Sequence, residues 1–277
     1  VLTSIAGVGN PMGEAEEKRA DWAKDMDVKA FTKGTDLLYF PCCLPCYDPL
    51  LKCIAVTTAA ILKKAGVDFG ILGANETCCG EAIRKAGNES LFQSLAQKNV
   101  ANFSKNAVKK VLVSSPHCYH TFKNEYPEFN VNFEVVHITQ YLAELISEGR
   151  LELREKYQKK ITYHDPCYLG RHNSIYEEPR AVLNRVPSLE LVEMTESREN
   201  SFCCGGGGGV LDVDRNLAIE VAKNRIRDAV AVGAQTIVTA CPTCQPSLLR
   251  ASGRLANELD LFVDVLDLWE LLDQALN

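Results

Sequence analysis

Cysteines recur in this sequence at one interval. Cys43 and Cys167 lie 124 residues apart, the adjacent pairs Cys78-Cys79 and Cys203-Cys204 lie 125 apart, and Cys118 and Cys244 lie 126 apart. Their neighbours recur with them: Tyr39 answers Tyr163, Cys79-Gly80 answers Cys204-Gly205, and Pro116-His117-Cys118 answers Pro242-Thr243-Cys244. Such self-similarity marks an internal duplication, so any fold for this chain has to be built twice. The 277 residues, 46% of them hydrophobic, are enough for two modest cores.

From Asp36 onward, short apolar runs alternate with helical periodicity, the pattern of βα units on a parallel sheet. Leu37-Leu38-Tyr39-Phe40 predicts a strand. Asp48-Pro49 predicts the start of a helix that buries Leu50, Leu51, Ile54, Thr58, Ile61 and Leu62 and stops at Gly66. A strand from Val67 to Leu72 follows, then a helix from about Leu91 to Lys110, a strand at Val111-Leu112-Val113, a short helix, a strand from Phe133 to Ile138 and a helix from Thr139 to Glu148. The series then restarts, with strands at Ile161–His164, Leu189–Met194, Thr236–Ala240 and Leu261–Leu266, a long helix over Asp212–Val232 and a closing helix. The expected fold class is α/β: two Rossmann-like lobes with parallel sheets, related by a pseudo-twofold axis, their ligand-bearing loops at one cleft. Residues 1–35 form a lead-in, in which Asn10-Pro11-Met12-Gly13 turns into a charged, mostly exposed helix anchored by Trp22. No chemistry is expected there. The lobes are assigned to residues 36–155 and 156–277.

Every repeated cysteine falls just past the carboxyl end of a predicted strand, the edge at which open α/β sheets bind ligands. Twelve cysteines are too few for a disulfide scaffold in a chain of this length and too clustered for scattered core thiols. With no secretory signal read at the N-terminus, they are expected to be metal ligands in a reducing compartment. Val1 is not a methionine, which fits a processed chain or a piece of a longer one. Five thiols converge in the second lobe: Cys167, Cys203, Cys204, Cys241 and Cys244. Zinc takes four ligands and a cubane iron–sulfur cluster takes four cysteines, so five fit a multi-iron centre better than a four-cysteine zinc site with one spare thiol. Gly205 to Gly209 follow the adjacent pair. A backbone without Cβ atoms leaves room for a bulky group and can turn its N–H groups toward an anion, which makes Gly205, Gly206 and Gly207 candidate cofactor contacts rather than a flexible linker.

The first lobe departs from the pattern, because Ser115 occupies the place of Cys241. Cys43, Cys78, Cys79 and Cys118 remain. They suit a smaller cluster, a noncubane one completed by a substitute ligand, or zinc. Cys42 and Cys46 lie close enough to Cys43 to compete as the substitute, although Cys42 falls at the position of Pro166 and has no counterpart in the repeat. Cys53, on the helix after Asp48, is expected to be a buried thiol. His164 in His164-Asp165-Pro166-Cys167 is the candidate catalytic histidine, able to protonate a leaving thiolate or to donate to sulfur; His117 and His120 flank Cys118, and a purely local hydrogen-bonding role is the alternative for all three. His137 and His172 are expected to be structural. A net charge of −6 gives no basic footprint for nucleic acid, and no run approaches the roughly 18 apolar residues of a membrane span. The glycines lack the acidic partner of a dinucleotide site.

Cys167, Cys203-Cys204-Gly205 and Cys241-Pro242-Thr243-Cys244 together resemble the cysteine-rich CCG domain, duplicated here from about Asp36 to the C-terminus. The chain is similar to the catalytic iron–sulfur subunits of heterodisulfide reductases and to the iron–sulfur subunits of glycolate, lactate and glycerol-3-phosphate oxidising complexes. In heterodisulfide reductase the motif binds a noncubane 4Fe-4S cluster through five cysteines. The resemblance implies the same for Cys167, Cys203, Cys204, Cys241 and Cys244, with a second iron–sulfur cluster or zinc in the first lobe. It also implies an oxidoreductase of anaerobic metabolism, in the cytoplasm or held at the membrane through a partner subunit. Expected partners are a ferredoxin-type module, a flavoprotein, a quinone- or haem-carrying membrane subunit, and a small thiol or disulfide substrate. The lead-in resembles the segment that follows a ferredoxin module in single-chain members. Three readings stay open: a cluster that reduces a disulfide one electron at a time, or oxidises thiols in reverse; a pure relay between a flavoprotein, such as a 2-hydroxy-acid oxidase or an electron-transferring flavoprotein, and quinone; and a zinc-stabilised scaffold.

Overall fold

The computed structural model describes residues 2–259 and 262–276. Among these, eight strands form two four-stranded sheets in which every pairing is parallel. The first sheet holds β1 (Leu37–Phe40), β2 (Phe69–Gly70), β3 (Lys110–Val113) and β4 (Glu134–His137) in the order β2-β1-β3-β4. The second holds β5 (Lys160–Tyr163), β6 (Glu190–Leu191), β7 (Thr236–Thr239) and β8 (Asp264–Asp267) in the order β6-β5-β7-β8. The orders match strand for strand, so the duplication written in the cysteines extends to topology. The chain divides into two compact units, Val1–Tyr141 and Leu142–Asn277.

The strands are short apolar runs because helices cover parallel sheets and leave little strand surface to water; all four residues of β1 and of β7 are buried. The helix Lys52–Lys64 buries Ile54, Ala55, Thr58, Ile61 and Leu62 on one face. It starts three residues after the Asp48-Pro49 signal, because Asp48 Oδ1 accepts from the Leu50 N–H at 2.9 Å and holds a turn there instead. A short helix not expected from the sequence, Cys43–Tyr47, precedes that turn. Two longer helices carry side-chain caps: Asn88 accepts from the Leu91 N–H ahead of Glu89–Lys105, and Asp214 accepts from the Leu217 N–H ahead of Arg215–Ala231. The second cap divides the helix expected over Asp212–Val232 into Val210–Val213 and Arg215–Ala231, since an Asp at an N-cap competes with helix continuation. Of the strand expected over Leu261–Leu266, residue 261 lies outside the described residues, and β8 begins at Asp264.

The lead-in belongs to the first sheet. Ala30 bridges Ile71 in parallel, and the Phe31 N–H donates to the Ile71 carbonyl at 2.8 Å, so this segment covers the edge beside β2. Its charged stretch is a 3₁₀ helix, Glu16–Ala23, and is less exposed than its composition suggests: Trp22 is buried as expected, and so is Arg19.

Candidate metal centres

In each sheet the chain leaves the first strand to one side and then returns to the other, so the carboxyl ends of β1 and β3, and of β5 and β7, flank a topological switch point. The cysteines gather at these ends. Cys42 and Cys43 follow β1, Cys78 and Cys79 follow β2, and Cys118 lies on the helix Pro116–His120 after β3. In the second lobe Cys167 follows β5, Cys203 and Cys204 follow β6, and Cys241 and Cys244 follow β7.

The second-lobe thiols touch in series. Cys167 meets Cys203, Cys203 meets Cys204, Cys204 Sγ lies 3.2 Å from Cys244 Sγ, and Cys244 meets Cys241. Cys204, Cys241 and Cys244 are buried, whereas Cys167 and Cys203 are half-buried, with the exposed Phe202 ring next along the chain. Backbone donors face the pair: the Gly205 N–H points at Cys203 Sγ at 3.3 Å and the Gly206 N–H at Cys204 Sγ at 3.4 Å. Hydrogen bonding from Cys167 and Cys204, with the Gly205 N–H, holds Cys203 below the ordinary thiol range. Ser247 Oγ donates to the Cys204 carbonyl at 2.7 Å and fixes the pair to the helix Cys244–Leu259.

Gly205 and Gly206 turn their N–H groups toward sulfur and are closely packed on the side where a Cβ would stand. A Cβ on Gly205, at φ +73°, would stand 2.6 Å from the Ala218 carbonyl, and one on Gly206 would stand 3.0 Å from Ser247 Cβ. The space beside them is filled by the packed helices. Open space begins at Gly208 and Gly209.

His164 is fully buried, and neither ring nitrogen has a hydrogen-bond partner. It stands with Cys204 and Cys244 in a group whose potential ligand atoms lie within 4.8 Å of one another. Burial, with Arg225 and Arg171 adding to it, lowers its pKa to about 3, so the ring is neutral. The loop between His164 and Cys167 is fastened by Arg180, which donates to both Asp165 oxygens at 2.7 and 2.9 Å, while Asp165 also accepts from the Arg198 N–H at 2.8 Å.

The first lobe repeats the series with one substitution. Cys43 meets Cys78, Cys78 meets Cys79, Cys79 Sγ lies 3.3 Å from Cys118 Sγ, and Cys118 meets Cys42. Hydrogen bonds from Cys118 and Cys78 bring Cys79 down to about 6. Tyr126 Oη donates to the Cys79 carbonyl and Asn99 Nδ2 to the Cys78 carbonyl, at 3.1 and 3.2 Å. All these thiols are buried. The lead-in reaches two of them: the Cys78 N–H donates to the Gly9 carbonyl at 2.8 Å, and Arg19 Nη1 stands 3.5 Å from Cys43 Sγ.

Arg19 is the functional candidate that sequence reasoning missed. It is 1% exposed, pairs with the equally buried Glu76 at 3.0 Å, and lies over the Phe40 ring at 5.1 Å. Burial works against its charge, but Cys43, Cys46 and Glu76 more than offset this. Phe40 takes the place that His164 has in the second lobe. Cys46 is buried on the Arg19 side of the group. Cys53, expected to be buried, is half-buried on its helix and directs its thiol to the Leu50 carbonyl. His117 faces Glu81 at 3.3 Å and His120 faces Glu125 at 3.8 Å. His137 Nδ1 bonds Thr139 Oγ1, and His172 stacks on Tyr168.

The family model of the cysteine-rich domain, CCG, matches residues 37–123 and 161–248. The chain is 40% identical over 283 residues to the probable iron-sulfur-binding oxidoreductase FadF of Bacillus subtilis (strain 168), covering 99% of this chain and 40% of that protein. It is 36% identical to the EtfAB:quinone oxidoreductase of Syntrophomonas wolfei, over 96% of this chain and 39% of that one. It is 37% identical to one of the subunits of the dihydromethanophenazine:CoB–CoM heterodisulfide reductase of Methanosarcina mazei, over 96% of this chain and 65% of that one. The chain thus spans less than two thirds of each of these relatives. Among solved structures, that of a hypothetical protein from Helicobacter pylori superposes on 93% of this chain and 54% of its own, with a TM-score of 0.61 at 12% identity, a likeness of fold. No helix among the described residues is long and apolar enough to cross a membrane. The chain belongs to the cysteine-rich CCG-domain family and carries the domain twice.

Proposed function

We propose that the second lobe holds an iron–sulfur centre on Cys167, Cys203, Cys204, Cys241 and Cys244, and that the chain works as a redox subunit of a larger complex in which this centre meets a small thiol or disulfide. The observation that carries the reading is the unbroken series of five sulfurs at one sheet edge. The donor set fits the group: five thiols exceed a zinc tetrahedron, and two backbone N–H groups already face sulfur, as they do around iron–sulfur clusters. When bound, such a centre supplies single electrons; cleaving a disulfide takes two electrons and two protons and yields two thiols.

The chain's own residues shape that chemistry. Cys204, Cys241 and Cys244 anchor the buried side, and Cys167 and Cys203 stand at the half-exposed side where a small molecule can approach. The Arg180–Asp165 pair fixes the loop that presents Cys167. His164 keeps a neutral ring with two unused nitrogens beside Cys204 and Cys244, a donor available to sulfur. Matches to an EtfAB:quinone oxidoreductase and to a probable iron-sulfur-binding oxidoreductase favour a second reading, a relay between a flavoprotein and a quinone-linked partner.

Iron, acid-labile sulfide and an EPR spectrum, taken on the protein prepared without oxygen, test the centre. Cys204→Ser is expected to lose the second-lobe signal and to weaken that lobe's fold, since binding and folding are coupled at such sites. Full iron content in Cys204→Ser, or zinc in place of iron in the unaltered protein, sinks the reading.

A further inference from the structure

The thiol contacts run Cys167–Cys203–Cys204–Cys244–Cys241 in the second lobe and Cys43–Cys78–Cys79–Cys118–Cys42 in the first. The first four members of each series are equivalent in the repeat; the fifth is not. Cys42 therefore ends its series where Cys241 ends the other, although it comes from a different strand. Register explains how it can. β1 and β3 are adjacent and parallel, with Phe40 opposite Val113. Cys42 lies two residues past Phe40, and Ser115, which occupies the repeat position of Cys241, lies two residues past Val113. A thiol lost from the loop after one strand is thus available at the same height from the loop after its neighbour.

The backbone at Cys42 is the second, independent observation. Its φ of 75° and ψ of 170° belong to a region that glycine occupies and that other residues hold only under strain, mostly where function demands it. Pro166, at this position in the second lobe, is barred from it because its ring fixes φ near −65°. Among the described residues the strained turn is thus a feature of the first lobe, and it holds a side chain that is 2% exposed, its Sγ 3.6 Å from the Phe40 carbonyl, against Cys118. Glycine would make the turn without strain, but it has no sulfur.

We propose that Cys42 is the fifth thiolate of the first-lobe centre, in place of the ligand that Ser115 removes, so that both lobes offer five sulfurs to a centre of the same class. This rests on the iron–sulfur reading of the second lobe. Iron and sulfide per chain and the EPR spectrum are to be compared among the unaltered protein, Cys42→Gly, Cys46→Ser and the double variant Cys42→Gly/Ser115→Cys. Cys42→Gly relieves the backbone strain while deleting the thiol, so a merely structural role leaves its metal content unchanged or higher. The expected result is loss or conversion of one of the two centres in Cys42→Gly, no change in Cys46→Ser, and recovery in the double variant. Unchanged iron and signal in Cys42→Gly, or loss in Cys46→Ser equal to that in Cys42→Gly, overturns the assignment. Zinc without iron in the unaltered protein overturns the iron–sulfur reading instead; loss of that zinc in Cys42→Gly then upholds Cys42 as a ligand, and its retention does not.

Discussion

Arg19 places a full positive charge 3.5 Å from Cys43 Sγ, out of reach of water. A unit charge a few ångströms from a redox centre, at an effective dielectric near 20, is worth about 4 kcal/mol before its pairing with Glu76 is counted. Arg19→Gln is therefore expected to lower the first-lobe reduction potential by on the order of 100 mV and to leave the second-lobe potential in place. An EPR-monitored redox titration reads both, and equal shifts in the two, or none, contradict the assignment. Breaking a buried pair from one side also costs about 3–5 kcal/mol, so Arg19→Gln/Glu76→Gln is the control that separates lost charge from lost stability. At this scale, legibility followed covalent regularity. The repeated cysteines could be read because their spacing is fixed along the chain. Arg19 could not, because it stands in a charged run like any solvated face and is buried only by tertiary packing. Cys42 was visible as a thiol near Cys43, but its strained turn and its approach to Cys118 depend on strand register.

Elements hold these residues in place through close contacts that composition disguises. Gly205 and Gly80 share a repeat position and a left-handed φ, +73° and +89°, and each lies against a neighbour that leaves no space for a Cβ: the Ala218 carbonyl at 2.6 Å and Phe92 Cδ2 at 2.7 Å. Gly209 has a similar φ, +78°, with nothing near it. Gly205→Ala thus meets conformational strain and a backbone clash together, whereas Gly209→Ala meets strain alone. The expected costs are about 1 kcal/mol for Gly209→Ala and about 2–4 kcal/mol for Gly205→Ala, by denaturant unfolding of the second lobe. Equal effects would contradict the close packing of Gly205 against the Ala218 carbonyl. The strand positions and the buried face of the helix Lys52–Lys64 were legible because apolar period and turn residues act locally, whereas the order of strands within each sheet is set by pairing between distant segments. The two-residue strands β2 and β6 and the lead-in segment at the first sheet's edge were not, since each is decided by which backbone groups find partners across the sequence; the break at Asp214 is a local cap, Asp214 Oδ1 accepting from the Leu217 N–H, set within an apolar period that runs on through it.

In the molecule as a whole, the two copies of one domain differ in access. The first lobe buries Cys42, Cys43, Cys78, Cys79 and Cys118, with the lead-in against Cys43 and Cys78 and its Arg19 cation beside Cys43. The second leaves Cys167 and Cys203 half-exposed, with Phe202 exposed beside them. A sheltered centre can take and hand on an electron without meeting substrate, whereas disulfide chemistry requires that a sulfur compound come within bonding distance. If the chain acts on thiols, the second lobe is where it does so. Oxidation in the presence of a small thiol such as 2-mercaptoethanesulfonate or cysteine is therefore expected to produce a thiol-dependent paramagnetic signal, broadened when the thiol carries ³³S. Cys203→Ser should abolish this signal, and Cys43→Ser, which alters only the covered lobe, should preserve it. Loss in both variants alike would mean that the lobes act as one site rather than dividing the work. A protein whose spectrum no thiol perturbs, while a reduced flavoprotein still delivers electrons to it, is a relay, and the open edge at Cys167 and Cys203 then belongs to an electron-transfer partner.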